Sequence, residues 1–259
     1  MKVSFNIKIL FLFFALFAAG NSYALSKQKA DSLFKAANNA YNQGLYDSSA
    51  AIYQTILNQG VESGELYYNL GNAYFKAGDI PSAILYYEKA KKLIPNDEDV
   101  IYNLNIANSR IVDKIEKIPT LFYTKWWNYF YNMFTGNTWA LFSIITFALL
   151  MLFVGLFVLG QTAKTKRIAF FSALLFMFLT AVSFGMASQK YYYGKSHTEA
   201  IVFIPTVTVK SSPSANSVDL FVIHEGTKVS ILDKVDNWVK IKIQNGSIGW
   251  LPAQDLKEI

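Results

Sequence analysis

Two uncharged apolar stretches, at 138–160 and 168–188, constrain this sequence more than any other feature. Each is long enough to cross a hydrocarbon core about 30 Å thick, which takes about 20 residues of α-helix. A helix on the surface of a soluble protein normally keeps a polar stripe for its solvent side, and neither stretch shows one. The sequence therefore predicts two transmembrane helices, with a buried helical hairpin of a soluble protein as the alternative.

The segment 161–167 between the two stretches contains the cations Lys164, Lys166 and Arg167. Lysine and arginine are enriched in the cytoplasmic loops of membrane proteins, so we expect this segment to be a cytoplasmic loop. Because the two predicted helices are antiparallel, the chain on both sides of them then faces away from the cytoplasm.

Residues 1–24 have the features of a secretory signal peptide. Two lysines precede an apolar run at 9–20, and the small residues Ser22 and Ala24 favour cleavage after Ala24. An uncleaved membrane anchor is the alternative, and either would export the residues that follow. We therefore expect a two-pass protein of the cytoplasmic (inner) membrane whose folded parts lie on the periplasmic side.

Aromatic residues are concentrated just outside both predicted membrane helices. They crowd the segment 119–137, and three tyrosines stand at 191–193 in the predicted linker 189–197. Amphipathic rings favour the headgroup layer, so 119–137 is predicted to be an interfacial segment. An aromatic cage for a ligand is the alternative.

The segment 25–118 contains a repeat with the 34-residue period of the tetratricopeptide repeat. The second copy carries the full signature: Tyr67, Leu70, Gly71, Tyr74, Ala83, Tyr87, Ala90 and Pro95. Small residues at these positions allow the two helices of a repeat to cross closely, and proline ends the second helix. A degraded first copy covers 30–60, and a helix over 99–115 is predicted to cap the stack. The segment is thus predicted to be an α-helical solenoid.

Repeats of this kind bind extended peptides along a groove lined by the first helix of each pair. The lining positions predicted here are Phe34, Asn38, Tyr41, Asn42, Tyr68, Asn72, Phe75 and Lys76. Asn38 and Asn72 occupy equivalent positions, and an amide side chain can pair with a peptide backbone. We therefore expect Asn72→Ala to weaken peptide capture and leave the fold intact. The alternative is that these are ordinary solvated positions of a repeat.

The segment 198–259 changes to short β-branched runs separated by turn residues, which is typical of a small all-β barrel. Asn245-Gly246 indicates a hairpin turn. The spacing of Glu225-Gly226, Trp238 and the run Gly249-Trp250-Leu251-Pro252 resembles the bacterial SH3 domain. The predicted structural residues are Trp238, Gly249, Trp250 and Pro252, with Gly249 at a barrel corner and Trp250 covering the end of the core. Some domains of this family bind peptidoglycan peptides.

Several functions lack the residues they would need. The net charge of +6 is not gathered into a basic patch on any soluble segment, so nucleic-acid binding has no support. The chain has no cysteine, and its histidines, His197 and His224, stand in no recognisable metal or nucleophile motif. We therefore expect no cofactor, no metal site and no enzymatic activity.

Taken together, these segments predict a multi-domain membrane protein: a tetratricopeptide-repeat solenoid, a two-helix transmembrane hairpin and a small SH3-like barrel. This order, with the stretch at 96–127 that runs from the capping helix into paired tryptophans, resembles the BatE family of the bacterial Bat aerotolerance operon. The resemblance covers nearly the whole chain. It implies a place in the envelope beside von Willebrand factor A proteins and a MoxR-type ATPase, with a role in tolerance of oxidative stress.

Two functional hypotheses follow. In the first, the chain is a non-catalytic adaptor that holds envelope proteins through its repeats and its SH3 domain, with the hairpin anchoring both in the lipid bilayer. In the second, the chain is a cell-wall sensor, in which peptidoglycan bound to the SH3 domain changes how the repeats engage a partner.

Overall fold

The computed structural model describes residues 28–115, 121–196 and 198–259. The predicted signal peptide, 1–24, therefore lies outside the described residues, as does His197. The described chain contains a helical repeat region, two long apolar helices and a C-terminal antiparallel sheet, in that order.

The repeat region consists of five helices, in which α1–α2 and α3–α4 are the two repeats. Their bounds are α1 at 28–42, α2 at Tyr46–Asn58, α3 at Gly64–Ala77, α4 at Ile80–Leu93 and α5 at Glu98–Arg110. Helix α3 ends at Gly78, whose φ of 90° is a left-handed conformation that glycine adopts without strain. The side chain of Asp79 then accepts a hydrogen bond from the backbone N–H of Ser82 and caps the start of α4.

The predicted close crossing of α3 and α4 is present at Gly71. A Cβ atom at this position would lie 2.7 Å from the ring of Tyr87, so only glycine leaves room for the tyrosine. Ala83 and Leu70 are fully buried beside it. The small and large residues of the signature therefore act as a matched set in the core.

The predicted capping helix is shorter than expected. Helix α5 ends at Arg110, because Ile111 adopts an extended conformation with ψ of 156°. Ile111 still packs against the core of the repeats, whereas Ile115 packs against the core of the barrel. The expectation of a helix as far as 115 is therefore wrong, and the end of this segment bridges the two domains instead.

Three helices follow: α6 at Phe122–Asn132, α7 at Gly136–Leu159 and α8 at Ala163–Ser196. We refer to α7 and α8 as the apolar hairpin. Among the described residues, these two helices are long and apolar enough to cross a membrane, over Gly136–Leu159 and Ala163–Tyr192. The rest of the described chain encloses little of them, since 0% of an 18-residue apolar stretch of the first helix and 11% of one in the second are buried.

The ends of the apolar hairpin differ from the expected bounds. Thr135 caps α7 and Thr162 caps α8, each accepting a hydrogen bond from the backbone N–H three residues later. The turn is therefore shorter than the predicted loop 161–167, and Lys164, Lys166 and Arg167 lie at the start of α8. The expected linker 189–197 is helical as far as Ser196. Hydropathy located the apolar stretches but not the capping residues that define the helix ends.

The C-terminal domain is a seven-stranded antiparallel sheet in the order β3-β2-β6-β5-β4-β1-β7. The strands are β1 Thr198–Val202, β2 Thr206–Lys210, β3 Asp219–His224, β4 Lys228–Val235, β5 Trp238–Lys242, β6 Ile248–Pro252 and β7 Leu256–Glu258. The alternation predicted for β5 is confirmed, because Val239 and Ile241 are buried while Trp238 and Lys240 lie on the other face. The hairpin turn at Gly246 is also present, with φ of 92°.

Candidate binding surfaces

Two tyrosine–asparagine hydrogen bonds recur one repeat apart in the solenoid. The hydroxyl of Tyr87 donates to Oδ1 of Asn72 at 2.7 Å, and the hydroxyl of Tyr53 donates to Oδ1 of Asn38. Burial raises the pKa of Tyr53 to about 12 and also raises the pKa of Tyr87. Both hydroxyls therefore stay protonated and act as donors, so the oxygen atoms of both asparagines are used inside the domain.

Four of the predicted groove residues line one hollow of about 330 Å³: Asn38, Tyr41, Asn42 and Asn72. Tyr53 and Asn69 complete its lining, and neither was among the predicted groove residues. Because the oxygens of Asn38 and Asn72 accept hydrogen bonds from their tyrosines, these two residues present mainly their amide N–H groups to a ligand. The hollow is therefore richer in hydrogen-bond donors than the sequence alone implied.

The other predicted groove residues do not line this hollow. Phe34 contacts the ring of Tyr53, and Tyr68 accepts a hydrogen bond of 2.9 Å from Nδ2 of Asn103. The ring of Phe75 lies beneath the guanidinium of Arg110, and Lys76 is exposed at the end of α3. Helix α5 thus covers part of the surface that the repeat period alone assigns to a groove.

The structure changes the expectation that Asn72→Ala leaves the fold intact. Oδ1 of Asn72 accepts hydrogen bonds both from Tyr87 and from Nδ2 of Asn103 at 3.0 Å. Alanine would leave the buried hydroxyl of Tyr87 without this acceptor, so we expect a loss of about 2 kcal/mol in the free energy of unfolding. Urea unfolding would measure it. Asn42→Ala is the control, since Asn42 is exposed, and an equal loss in both variants would contradict the explanation.

The residues predicted to be structural in the barrel lie in β5 and β6. Trp238 pairs with Pro252, and Lys240 pairs with Trp250, so these side chains share one face. Nζ of Lys240 lies 5.8 Å from the ring of Trp250, and that ring is partly exposed. Trp250 is therefore only partly buried, whereas its neighbour Leu251 is fully buried, and the covering of the core by Trp250 stays a prediction.

The structure gives a steric reason for a glycine at position 249, which is buried. Its φ is not in the left-handed region, so backbone conformation does not by itself require glycine here. Instead, β6 passes so close to β2 that a Cβ atom would overlap Cγ1 of Val209 and lie 2.9 Å from the carbonyl oxygen of Lys210. Gly249 is thus required by the close approach of two strands.

The barrel packs directly on the repeat region. Ile201 of β1 is fully buried in the core of the repeats. Gly226 has φ of 84°, and a Cβ atom there would lie 2.5 Å from Ile111. The two domains therefore pack together as one unit, which we call the repeat–barrel unit.

An ion-pair cluster lies in the contact between the two domains. Nζ of Lys228 is 3.0 Å from Oε2 of Glu88 in α4 and 2.8 Å from Oε2 of Glu199 in β1. Burial by itself lowers the pKa of Lys228, but the two carboxylates outweigh it and raise the pKa above its ordinary value. The lysine is therefore charged at neutral pH and neutralises carboxylates from both domains.

Asp113 makes a second polar contact between the domains. It accepts hydrogen bonds from the backbone N–H of His224 at 2.7 Å and from the hydroxyl of Thr227 at 2.6 Å, and the ring nitrogen Nδ1 of His224 is also 2.7 Å away. Burial by itself raises the pKa of Asp113, but these hydrogen bonds together lower it below its ordinary value. Asp113 is thus in its carboxylate form when it accepts these hydrogen bonds from the barrel.

The direction of this pKa shift predicts how the contact between the domains depends on pH. A carboxyl whose pKa is lowered by folding contributes its full stability above the unfolded pKa, about 4, and loses it as the pH falls through the folded pKa. We expect Asp113→Asn to lower the free energy of unfolding by about 2 kcal/mol at pH 7 and by less near pH 3. Thermal unfolding at both pH values would measure this difference. Asp219→Asn is the control, because Asp219 is 65% exposed, and a loss at pH 7 that persists unchanged at pH 3 would contradict the account.

The repeat–barrel unit is joined to one end of the apolar hairpin. Nδ2 of Asn96 donates to the carbonyl oxygens of Asn132 and Met133 at 3.1 and 3.2 Å, which ties α6 to the repeats. Nζ of Lys190 in α8 lies 4.5 Å from the ring of Tyr131. Lys164, Lys166 and Arg167 lie at the opposite end of the hairpin, beside its turn.

Sequence reasoning missed the residues that join the domains. Lys228 and Glu88 are 140 positions apart, and Asp113 and Thr227 are 114 positions apart. No periodic pattern marks any of them. The one local signal was the pair Glu225-Gly226, whose glycine lies at the contact, but the spacing indicated only a turn.

The architecture defines a protein built from binding modules. Residues 64–97 match the family model of the tetratricopeptide repeat, and residues 205–257 match the bacterial SH3 domain. A comparison with curated proteins found no match. The chain therefore contains a tetratricopeptide repeat and a bacterial SH3 domain, two kinds of module that typically bind proteins or, for the second, peptidoglycan. Such modules are not catalytic as a rule.

Proposed function

We propose that this chain is a non-catalytic, membrane-anchored adaptor on the periplasmic side of the cytoplasmic membrane. The observation that carries the proposal is the arrangement of its parts, with both binding modules fused into one unit at one end of the apolar hairpin. Lys164, Lys166 and Arg167 lie at the other end of the hairpin, and the positive-inside rule places such residues in the cytoplasm. The exposed apolar side chains of the hairpin support a lipid environment.

The resemblance to the BatE family supplies the context of this proposal. In it, the repeat–barrel unit holds envelope proteins, among them von Willebrand factor A proteins that work with a MoxR-type ATPase, and contributes to tolerance of oxidative stress. The donor-rich hollow beside Asn42 is the proposed contact for a partner segment, because amide N–H groups pair with the carbonyl oxygens of an extended chain. The partly exposed face of Trp238 and Trp250 is the proposed second contact.

The membrane topology is tested with a reporter. Alkaline phosphatase fused after Ile259 is expected to be active, since that residue lies in the repeat–barrel unit on the exported side. The same enzyme inserted after Gly160, in the turn of the hairpin, is expected to be inactive. A reversed pattern at normal expression would overturn the topology.

Partner capture is tested by cross-linking in intact cells, followed by mass spectrometry of the proteins recovered. Asn42→Ala is expected to lower the yield of cross-linked envelope proteins without changing thermal stability, because Asn42 is exposed and lines the hollow. Asn39→Ala is the matched control, since this exposed neighbour on α1 does not line the hollow. Equal yields from the two variants would contradict the proposed contact. Sedimentation of the full chain with purified murein distinguishes the adaptor from the cell-wall sensor. The sensor hypothesis requires the chain to sediment with the murein.

A further inference from the structure

A large cleft opens where the repeat–barrel unit meets the apolar hairpin. Its volume is about 810 Å³, and its lining comes from α4, from the start of α7, from the end of α8 and from the barrel. We call it the junction cleft. It lies at the level where the apolar surface of the hairpin gives way to the polar surface of the two domains.

One side of the junction cleft is basic. Lys91 and Lys92 reach it from the last turn of α4, and Lys190 reaches it from α8. In the described part of the chain, none of these three lysines pairs with an aspartate or a glutamate. Nζ of Lys92 donates to the backbone oxygen of Ile259 at 2.9 Å, and Nζ of Lys190 donates to Oδ1 of Asn132 at 3.4 Å. Glu88 and Glu199 also line the cleft, but Lys228 lies between them at 3.0 and 2.8 Å. With the carboxyl group of Ile259 beside Lys92, four lysines face three carboxylates, which leaves a small excess of positive charge.

The other side of the junction cleft is apolar. It is formed by Ala140 of α7 and by Phe184 and Ala187 of α8. The side chain of Phe184 is 64% exposed, and the apolar surface continues along both helices beyond the cleft. A molecule that filled the cleft would therefore touch cations at one end and a long hydrocarbon-like surface at the other.

We propose that the junction cleft binds an anionic phospholipid, with the phosphate against Lys91, Lys92 and Lys190 and an acyl chain along Phe184 and the apolar hairpin. Ammonium groups are ordinary partners for phosphate, and the apolar wall matches an acyl chain in place and in chemistry. A soluble phosphate compound would satisfy only the basic side. The inference rests on the proposed membrane anchorage and adds a lipid that fixes the repeat–barrel unit at the bilayer surface.

The test uses the full chain, purified in a mild detergent, and native mass spectrometry to count bound lipids. Phosphatidylglycerol is compared with phosphatidylcholine of the same acyl chains, and glycerol phosphate is the soluble competitor. We expect the native chain to retain phosphatidylglycerol in preference to phosphatidylcholine. The variant Lys91→Gln/Lys92→Gln is expected to weaken phosphatidylglycerol binding by about fivefold for each lysine removed.

The matched control is Lys29→Gln/Lys35→Gln, which removes the same charge from exposed positions of α1 that do not line the cleft. It is expected to bind lipid like the native chain. Lys91 and Lys92 are themselves exposed, and thermal unfolding checks that the cleft variant stays folded. Equal losses in the two variants, or equal retention of the two lipids by the native chain, would overturn the lipid site. Displacement of the lipid by glycerol phosphate would also overturn it, in favour of a soluble phosphate ligand.

Extraction of cell membranes with alkaline carbonate separates this proposal from the membrane anchor on which it rests. If the chain stays in the membrane but shows no lipid preference, the lipid site alone is wrong. If the chain is washed from the membrane, the anchor and the lipid site are both wrong.

Discussion

Gly249→Ala is expected to unfold the barrel under conditions in which the native chain is folded. The added methyl group would overlap Val209 and would press on the carbonyl oxygen of Lys210, a backbone atom that cannot rotate away. Overpacking of this kind costs about 3 kcal/mol. A barrel of this size rarely has more than about 3–5 kcal/mol of its own stability. Hydrogen exchange of β2 and β6 in the full chain would report the loss.

A double variant tests the stated cause. Val209→Ala alone leaves a small cavity, but in the presence of Gly249→Ala it removes the side chain that the new methyl group meets. The two losses of unfolding free energy are therefore expected to be less than additive, as for residues in direct contact. Simple addition of the two losses would show that the overlap with Val209 is not the cause. Native-like exchange in Gly249→Ala would contradict the prediction itself.

Lys228→Met is expected to separate the barrel from the repeats. The lysine is 20% exposed and its partner Glu88 is 11% exposed, so the variant would leave two carboxylates close together with no cation between them. Removing one member of a buried ion pair costs about 3 kcal/mol or more. We expect calorimetry of the full chain to show one unfolding transition for the native repeat–barrel unit and two for the variant.

Lys234→Met is the matched control for this variant. Lys234 also pairs with a glutamate, Glu258, but both side chains are more than half exposed, at 54% and 53%. Exposed pairs contribute about 1 kcal/mol or less, so one transition should remain. Adding Glu88→Gln to Lys228→Met should restore part of the lost stability by removing an unpaired charge. If both lysine variants unfold alike, burial of the ion pair is not what joins the domains.

The hollow in the repeats shows which features of a binding site the 34-residue period can predict. The period placed Asn38 and Asn72 at equivalent positions, and the structure gives them equivalent hydrogen bonds. The period could not show that the partners are the buried hydroxyls of Tyr53 and Tyr87, because those tyrosines lie on the second helix of each repeat. It also could not place α5, whose Asn103 adds a further bond to Asn72.

The barrel shows a similar division. Alternation in β5 correctly assigned Val239 and Ile241 to the core. In β6 the spacing of the SH3-like residues predicted that Trp250 covers the end of the core, and the register with β5 places it beside Lys240 on the outer face. Strand pairing therefore decided that this large aromatic side chain is only partly buried.

The sequence by itself determined the local elements: the helices of the repeats, the short strands of the barrel and two helices too apolar for ordinary solvation. These depend on hydrophobic period and on run length, which neighbouring residues encode. Only the tertiary structure decided that the barrel packs on the repeats through Lys228 and Asp113, and that a cleft opens above the apolar hairpin. Such contacts join residues more than 100 positions apart, and they depend on matching shape and charge between complete domains, which no local pattern contains.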